Sequence, residues 1–496
     1  MMYDREKSHS AIGAGKPTNK VDATSVADAA EPVEQRAGTK RNASEQSTHR
    51  TQSRERVSQA LDRVRHAARL RKEEKFTALF HHLSVDLFRE VFFALKRDAA
   101  PGVDGLTWQT YETDLDRNLT DLHSRVHRGA YRALPSRRTY IPKADGKQRP
   151  LAVMALEDKI VQKATVAVLN CIYEEEFLGF SYGFRPKRGP HDALDALVVG
   201  ISTRRVNFIF DADVASFFDS VSKNWLVRFV EHRIGDKRVV RLIRKWLKAG
   251  VLEDGIVTVS EVGTGQGSVI SPLLANIYMH YVFDLWVHRW RRREAQGDVI
   301  IVRYADDFVV GFEYETDARR FWDALRARLE EFALSLHPEK TRLIEFGRYA
   351  ADRRAKAGLG KPETFKFLGF VFICGKSRRG KFLVHRKSRR DRMRAKLAEV
   401  KKELRKRMHQ PIPEQGRWLA QVVRGYFAYH AVPTNGLRIS AFRHHVIKYW
   451  LRTLRRRSQK DHCTWDRITR LADAFLPQPR TLHPLPNVRF AVRHSR

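Results

Sequence analysis

Apolar side chains recur along most of this chain at one of two spacings, the first typical of helices and the second of strands. A period of about 3.6 residues, interleaved with arginine and lysine, begins near Glu55 and predicts amphipathic helices. Short runs of β-branched and aromatic residues, bounded by glycine, proline or aspartate, predict strands between them. The predicted helices are 57–70, 85–96, 108–128, 156–178, 191–203, 225–232, 316–334, 418–430 and 440–455, and the predicted strands and hairpins are 138–151, 207–214, 300–310, 342–346 and 365–372.

The two ends of the chain lack these periods. Residues 1–55 are polar and rich in serine, threonine, alanine and glycine, which predicts a disordered tail. This end has no apolar segment of the kind that directs secretion, and acids such as Asp4 and Glu6 are atypical of an organellar transit peptide. Residues 476–496 are rich in proline and arginine, and we expect them to lie over the surface or to stay mobile.

The overall charge narrows the choice of partner. The 496 residues include 93 Lys and Arg against 57 Asp and Glu, a formal net charge of +36. Such an excess repels itself unless a polyanion neutralises it, and nucleic acid is the best candidate. A membrane is not an expected partner, because no long apolar run is present. Three scattered cysteines exclude a disulfide framework or a zinc module and fit a reducing cytoplasm.

Adjacent carboxylates occupy the turn of one predicted hairpin. In the stretch 300–310, two apolar runs flank Asp306 and Asp307, where like charges repel unless a divalent cation lies between them. Taken alone, such a pair is more commonly explained as a solvated acidic turn. A second strand, 207–214, also ends in acids, and its Asp211 and Asp213 share one face by period two. Either could face a metal on pattern alone.

Three further stretches have the composition of a nucleotide or nucleic-acid site. Lys143, Lys147 and Arg149 lie around an Asp-Gly turn and would suit a triphosphate. Taken alone, an ordinary basic hairpin on a basic protein is the better explanation of the same residues. Residues 180–189 alternate aromatic and basic side chains in a loop. The glycine-rich 263–268 precedes a helix, so its backbone could approach a nucleotide or simply form a turn.

The chain as a whole resembles the reverse transcriptases that bacterial group II introns encode. The resemblance covers about residues 57–490, and its motifs follow the order and spacing of that family. Residues 424–429, Arg-Gly-Tyr-Phe-Ala-Tyr, are similar to the maturase (thumb) region. The other matching motifs are Ile-Pro-Lys at 141–143 with Arg-Pro-Leu at 149–151, Ser-Tyr-Gly-Phe-Arg-Pro at 181–186, Asp213 with Phe-Phe-Asp at 217–219, Gly-Gln-Gly at 265–267 with 271–276, Arg-Tyr-Ala-Asp-Asp at 303–307 and Lys-Phe-Leu-Gly-Phe at 366–370.

The resemblance implies an α+β fold, the right-hand polymerase with fingers, palm and thumb, an antiparallel palm sheet and a helical thumb. The implied divisions are a tail at 1–55, fingers at 56–200 with the basic hairpin, a palm at 201–375 with the acids, a basic helical thumb or maturase domain at 376–475, and a tail at 476–496.

It also implies RNA-templated DNA synthesis with two Mg²⁺ ions. Asp213 and Asp306 would bridge both ions and Asp307 would complete the cluster, whereas Asp211 has no counterpart in the family. Lys143 and Arg149 would grip the triphosphate, Phe218 would exclude a 2′-hydroxyl, and Gln266 would line the nucleotide and template. The expected RNA and primer contacts are Arg185, Lys187 and Arg188, and Arg386, Lys387, Arg389 and Arg390 in the basic segment 376–407, which reads as helix.

The implied partners are group II intron RNA, as template and splicing substrate, a DNA target or primer, and dNTPs. The expected location is the bacterial cytoplasm, with nucleoid association on DNA. Many relatives carry a C-terminal His-Asn-His nuclease with paired cysteines, but Cys463 stands alone, so we expect none here and another source of primer. The alternatives are a related reverse transcriptase in phage defence and a non-enzymatic splicing factor. The intact acids count against the second.

Overall fold

The structure, a computed structural model, describes the backbone of residues 39–142, 148–253, 256–259, 263, 267–457 and 463–493. Side chains are described from residue 53 onward, except those of 142, 149 and 493. The chain divides into two units, Met1–Gln52 and Ser53–Arg496. The first unit contributes only the backbone at the start of helix α1, and all packing below belongs to the second.

The first helix begins earlier than the sequence pattern indicates. Helix α1 spans Thr39–Leu70, whereas the predicted tail reaches residue 55. Residues 39–54 are polar apart from one alanine, so they carry no hydrophobic period by which a helix could be recognised. The rest of the predicted tail, residues 1–38, lies outside the described residues.

Helices form most of the part of the chain that the structure describes. A 3₁₀ turn lies at Phe80–His82 and a π-helical turn at His280–Asp284. The remaining α-helices are α2 Val85–Phe93, α3 Trp108–Glu112, α4 Leu115–His127, α5 Leu156–Tyr173, α6 Pro190–Thr203, α7 Phe217–Ser220, α8 Lys223–Arg233, α9 Lys237–Lys248, α10 Ser271–Met279, α11 Leu285–Arg293, α12 Glu315–Glu330, α13 Ala350–Lys356, α14 Arg390–Lys406, α15 Ile412–His430, α16 Gly436–Arg455, α17 Trp465–Phe475 and α18 Pro486–Arg493.

The described strands form three small sheets, ordered β6-β7-β3-β8, β2-β1-β4-β5 and β11-β10-β9. Every pairing is antiparallel except β1 with β4. The predicted α+β class with antiparallel sheets is therefore confirmed. The strands are β1 Ser136–Pro142, β2 Gln148–Val153, β3 Phe208–Asp213, β4 Val251–Glu253, β5 Ile256–Thr258, β6 Val299–Tyr304, β7 Asp307–Phe312, β8 Arg342–Glu345, β9 Phe365–Phe367, β10 Phe370–Lys376 and β11 Phe382–Ser388.

The β6-β7-β3-β8 sheet is covered on both faces. Phe210 and Phe308 pack into one core, and Ile209 and Val309, on the opposite face, pack into another. Strands buried on both sides read as nearly continuous apolar runs, which is why these stretches stand out in the sequence. A third core holds the helices α14–α17 together around Trp450.

The basic segment 376–407 is not helical throughout, contrary to the prediction. Its first third forms a β-hairpin in which Lys376 pairs with Phe382, and the helix begins only at Arg390. Arg386 and Lys387 therefore lie on strand β11. The high density of basic side chains concealed an alternation in which Val384, Arg386 and Ser388 all point inward.

The C-terminal residues form a docked helix where the sequence suggested a surface tail. Helix α18 packs on α6, with Phe490 against the second core of the central sheet. Arg489 lies 3.3 Å from a carboxylate oxygen of buried Asp195 on α6, and Arg386 donates to the other oxygen at 2.5 Å. One buried aspartate thus joins α6, β11 and α18.

No helix among the described residues is long and apolar enough to cross a membrane.

Replacing Asp195 with alanine should destabilise the protein strongly, because two arginines would be left beside a buried site without their partner. We expect a loss of about 3–5 kcal/mol, read as a fall in Tm by calorimetry. The matched control is Asp473→Ala, since Asp473 also pairs with an arginine, Arg443, but is half-exposed, so its loss should lower Tm much less. Equal effects of the two variants would contradict the prediction.

Candidate active site

The two acids at the hairpin tip occupy the tightest connection in the central sheet. Tyr304 and Asp307 are the last paired residues of β6 and β7, so Ala305 and Asp306 alone form the turn. Ala305 has φ +59°, a left-handed conformation that costs a non-glycine residue about 1 kcal/mol. Other contacts must hold this turn in place.

The chief of these contacts is the buried guanidinium of Arg303. It donates to both carboxylate oxygens of Asp284, at 2.7 and 2.6 Å, at the end of the π-helical turn. It also donates to the Ser181 hydroxyl at 2.7 Å, the Asn276 side chain at 3.1 Å and the Ala305 carbonyl at 2.8 Å. All five N–H groups are used, and one of them fixes the strained turn directly.

A second support comes from residues 180–184, which contact β6 through an isolated parallel bridge between Ser181 and Arg303. Tyr182 N–H donates to the Arg303 carbonyl, and Arg303 N–H donates to the Phe180 carbonyl, both at 2.9 Å. Gly183 meets the turn so closely that a Cβ there would lie 2.3 Å from Ala305 N. Any larger residue at this position would push the acidic turn away.

Three carboxylates follow one face of the sheet. Asp213 stands directly opposite Asp307 across the β3–β7 pairing, and Asp211 lies on the same face one step deeper. The face is apolar at Ile209 and becomes acidic only where the strands end. Asp306, in the turn, is the fourth acid of this group. The structure therefore brings together the acids that the sequence predicted.

Crowding of these acids changes their titration. Burial, together with repulsion from Asp306, Asp213 and Asp211, raises the pKa of Asp307 to about 7. Burial also raises the pKa of Asp211 to about 6, against the attraction of Arg342, which lies 3.6 Å away.

Lys340 supplies a cation to this cluster. Its Nζ donates to Asp213 Oδ2 at 2.6 Å. The loop that carries it is attached to the same strand end, because Ala215 N–H donates to the Ser335 carbonyl at 2.9 Å and His337 N–H donates to the Asp213 carbonyl at 2.8 Å. The lysine is thus held at the acids by backbone bonds as well as by charge.

The donor set suits a hard divalent cation. No three acidic, histidine or cysteine side chains of the described ranges stand in a metal-ligating arrangement, and Asp213 is paired with Lys340. Even so, carboxylate oxygens are the ligands that Mg²⁺ prefers, and the raised pKa of Asp307 reports negative charge that one lysine does not neutralise. Asp213, Asp306 and Asp307 are the residues that would hold it.

The predicted nucleotide contacts are only partly within the described residues. Phe218 lies half-buried on α7, beyond a turn in which Ser216 has φ +44°. Gly263 packs against the backbone of Phe218, where a Cβ would lie 3.0 Å from the Phe218 carbonyl oxygen. Lys143, Gln266 and the side chain of Arg149 lie outside the described residues, although the Arg149 backbone belongs to β2.

Two of the predicted RNA contacts are buried and bonded within the protein. The Arg185 guanidinium donates to Glu174 at 2.9 Å and to the Ser181 carbonyl at 2.9 Å. Arg386 donates to Asp195 and is 1% exposed. Both side chains are engaged in holding loops and strands together, so neither faces a ligand in this structure.

The other five predicted RNA contacts differ in how exposed they are and in whether they already have a partner within the protein. Lys187 and Arg390 are exposed. Arg188 is half-buried and donates to a backbone carbonyl, and Lys387 also donates to a backbone carbonyl. Arg389 pairs with an aspartate two residues further on at 2.5 Å.

Sequence reasoning missed the residues that support the acids. Arg303, Asp284 and Lys340 belong to this group, as do Asn276 and Gly183. The available signal was a charge inside an otherwise apolar stretch, at Arg303 in strand β6 and at Asp284 in a helical run, because a buried charge needs a partner.

Comparisons with known proteins show which proteins this chain resembles. Residues 141–372 match the family described as reverse transcriptase (RNA-dependent DNA polymerase). Protein YkfC of Escherichia coli K12 is 33% identical over 317 residues, covering 57% of this chain and 78% of that protein. Group II intron-encoded protein LtrA of Lactococcus lactis is 32% identical over 222 residues, 44% of this chain and 37% of LtrA. A putative COX1/OXI3 intron 1 protein of Saccharomyces cerevisiae is 24% identical over 436 residues, 74% of this chain and 51% of that protein.

The acidic hairpin tip and the strand-end aspartate that faces it both lie inside the region that matches the reverse transcriptase family. The chain belongs to the reverse transcriptase family, among the group II intron-encoded reverse transcriptases and maturases. Its enzyme class is therefore RNA-directed DNA polymerase, the cofactor of such enzymes is a divalent cation, and nucleic acid is the partner class. The match spans only 37% of LtrA and about half of the yeast protein.

Replacing Lys340 with glutamine should increase the affinity for a divalent cation, because Asp213 would lose its competing cation. We expect Mn²⁺ to bind about 2–5-fold more tightly by isothermal titration, the size of a partly exposed ion pair. Lys356→Gln, which removes the same charge from the exposed helix α13, is the control and should leave affinity unchanged. Weaker binding by the Lys340 variant would count against this competition.

Replacing Asp307 with asparagine should stabilise the metal-free protein at high pH. The folded pKa lies near 7, above the ordinary value of 3.8, so the folded state loses stability as pH rises through that interval. Removing the charge should raise Tm by about 2 °C near pH 8 and change it little near pH 4. A variant that is destabilised equally at both values would refute the proposed repulsion.

Proposed function

We propose that this chain copies group II intron RNA into DNA by two-metal nucleotidyl transfer and also binds that RNA to assist splicing. The observation that carries the first part is the register of Asp213 opposite Asp307, with Asp306 beside them at the hairpin tip. Three carboxylates on rigid strands are what a pair of Mg²⁺ ions requires. The maturase role follows from the kinship with intron-encoded proteins.

Asp213, Asp306 and Asp307 would hold the two Mg²⁺ ions in this proposal. When bound, Mg²⁺ supplies a lowered pKa at the primer 3′-hydroxyl and charge neutralisation at the leaving pyrophosphate. The protein's own contribution is orientation, because Arg303 fixes the turn from which Asp306 projects. Asp211 serves as a neighbour of the site, engaged with Arg342.

The incoming dNTP would lie between the acids and the basic hairpin of β1 and β2. Lys143 and Arg149 would contact its triphosphate, and Gln266 would line the base and template. Phe218 would lie under the sugar, where a 2′-hydroxyl would collide with its ring. Its position supports this role, because it follows Asp213 by five residues and is only half-buried.

The fold divisions extend this proposal to RNA. Residues 56–200 would act as fingers, 201–375 as palm and 376–475 as thumb. A groove of about 510 Å³ between α14 and α16 supports nucleic-acid contact by the thumb. It combines four cations with apolar and aromatic walls, and its described lining contains no acid. Its members include Arg390, Arg394, Lys401, Arg438, Met393 and Tyr449.

Asp306→Asn should reduce primer extension on an RNA template by at least about a thousandfold, since one carboxylate of the metal site would be lost. Affinity for intron RNA, measured by filter binding, should stay within about threefold, because the thumb groove is untouched. Asp323→Asn, an exposed aspartate on α12, is the control and should retain full activity. Normal polymerisation by the Asp306 variant would show that Asp306 is not part of the metal site.

Phe218→Ala should admit ribonucleotides, because the ring would no longer occupy the space beside the sugar. We expect the preference for dNTP over rNTP, as a ratio of kcat/KM, to fall at least about tenfold. Phe218→Tyr keeps the ring and should keep the preference. Unchanged sugar discrimination in the alanine variant would remove Phe218 from this role.

A further inference from the structure

Phe184 combines two unfavourable features. Its φ of +57° is left-handed, a conformation that strains a non-glycine residue. Its side chain is also 52% exposed, so a large aromatic ring gains little from burial. Glycine would satisfy the backbone better and a polar side chain would suit the solvent better. A strained, exposed aromatic residue therefore needs a reason outside the folding of the chain.

The position of Phe184 is rigidly tied to the acidic hairpin. It directly follows Gly183, whose backbone touches Ala305, and Asn276 donates to the Gly183 carbonyl at 2.7 Å. The Phe184 ring centroid lies 6.4 Å from that of Tyr304, the residue that ends β6. The ring is thus held beside the acids by the same contacts that hold the acids themselves.

The sheet order gives Phe184 a definite side of the site. The central sheet runs β6-β7-β3-β8, and Lys340 reaches Asp213 from the β8 side. In the proposed function, the nucleotide side is that of Phe218, which follows β3. Residues 180–184 lie at the opposite edge, outside β6. The strand that is being extended must reach the acids from the side that the nucleotide leaves open.

The surroundings of Phe184 suit a nucleic acid strand. Lys187, three residues on, is exposed and also left-handed, with φ +60°. An exposed ring next to an exposed cation on a fixed backbone can stack on a base and attract its phosphate. Such a surface accepts any base, because every base has an aromatic face.

We propose that Phe184 stacks on the 3′-terminal nucleotide of the primer and holds its 3′-hydroxyl toward the acids. This inference rests on the proposed polymerase function, since it assigns the primer to one edge of that site. The strain at Phe184 is then retained because it directs the ring toward the primer.

The test compares Phe184→Gly and Phe184→Ala with Phe184→Trp. The glycine variant should be as stable as the natural protein or more so, because strain is relieved. Yet it and the alanine variant should bind a primer–template duplex about tenfold more weakly in the absence of dNTP, the effect of losing one stacked base. The tryptophan variant should bind normally, and KM for dNTP should change less than about twofold in all three.

Ala333→Gly is the matched control. Ala333 is exposed after α12 and has φ +55°, so its replacement relieves similar strain away from the proposed primer. Stability should rise and duplex binding should stay unchanged. If Phe184 had only a structural role, its replacement would change duplex binding only as far as it changed stability. The Ala333 variant shows how much duplex binding changes when strain alone is relieved.

A fluorescent base locates the contact. With 2-aminopurine at the primer 3′ end, the natural protein and the tryptophan variant should quench emission, and the glycine variant should not. Normal duplex binding by both small variants would overturn the inference, and so would quenching that depends on Phe184 only when the probe is in the template. If the natural protein fails to extend primers at all, the proposed function fails instead, and the same assays reveal it.

Discussion

The buried pair of Arg303 and Asp284 is the interaction on which the acidic site depends. At the hairpin tip, Ala305 has a left-handed backbone and Asp307 lies opposite Asp213, so that like charges repel. Both features disfavour the observed turn. Arg303 holds the turn in this conformation by donating to the Ala305 carbonyl while bonded to Asp284. A buried ion pair of this kind contributes more to defining one arrangement than to net stability, because both charges lose water. Ser181 and Asn276 complete it, so the segment around Phe184 and the helix α10 are fixed by the same guanidinium.

Charge balance is the second constraint. Four aspartates meet at the ends of three strands, and the protein's own cations, Lys340 and Arg342, offset part of their repulsion. The remaining excess is visible in the raised pKa of Asp307. Asp213 is paired with Lys340 in this arrangement. In the proposed metal site, a cation bound at Asp213 would compete with that lysine.

The sequence predicted the central hairpins well, because strands buried on both faces have strong apolar runs and end at recognisable turns. It brought Asp213 to Asp306 and Asp307 only through family resemblance, since no local pattern reports a long-range pairing. The sequence-based prediction was wrong for two basic residues, because a chain rich in arginine and lysine does not show which of them pair with acids inside the protein. Arg185 and Arg386 look like RNA contacts in a basic chain, but each is bonded to a buried or half-buried acid. Helix α18 escaped notice because its docking depends on the distant Asp195.

Anomalous diffraction from crystals of the protein bound to Mn²⁺, a primer–template and an unreactive dNTP analogue would show whether the three acids hold the metal ions. We expect anomalous peaks bounded by Asp213, Asp306 and Asp307, with Lys340 Nζ moved away from Asp213 and the Arg303–Asp284 pair unchanged. Manganese bound elsewhere, with Lys340 still paired to Asp213, would contradict it.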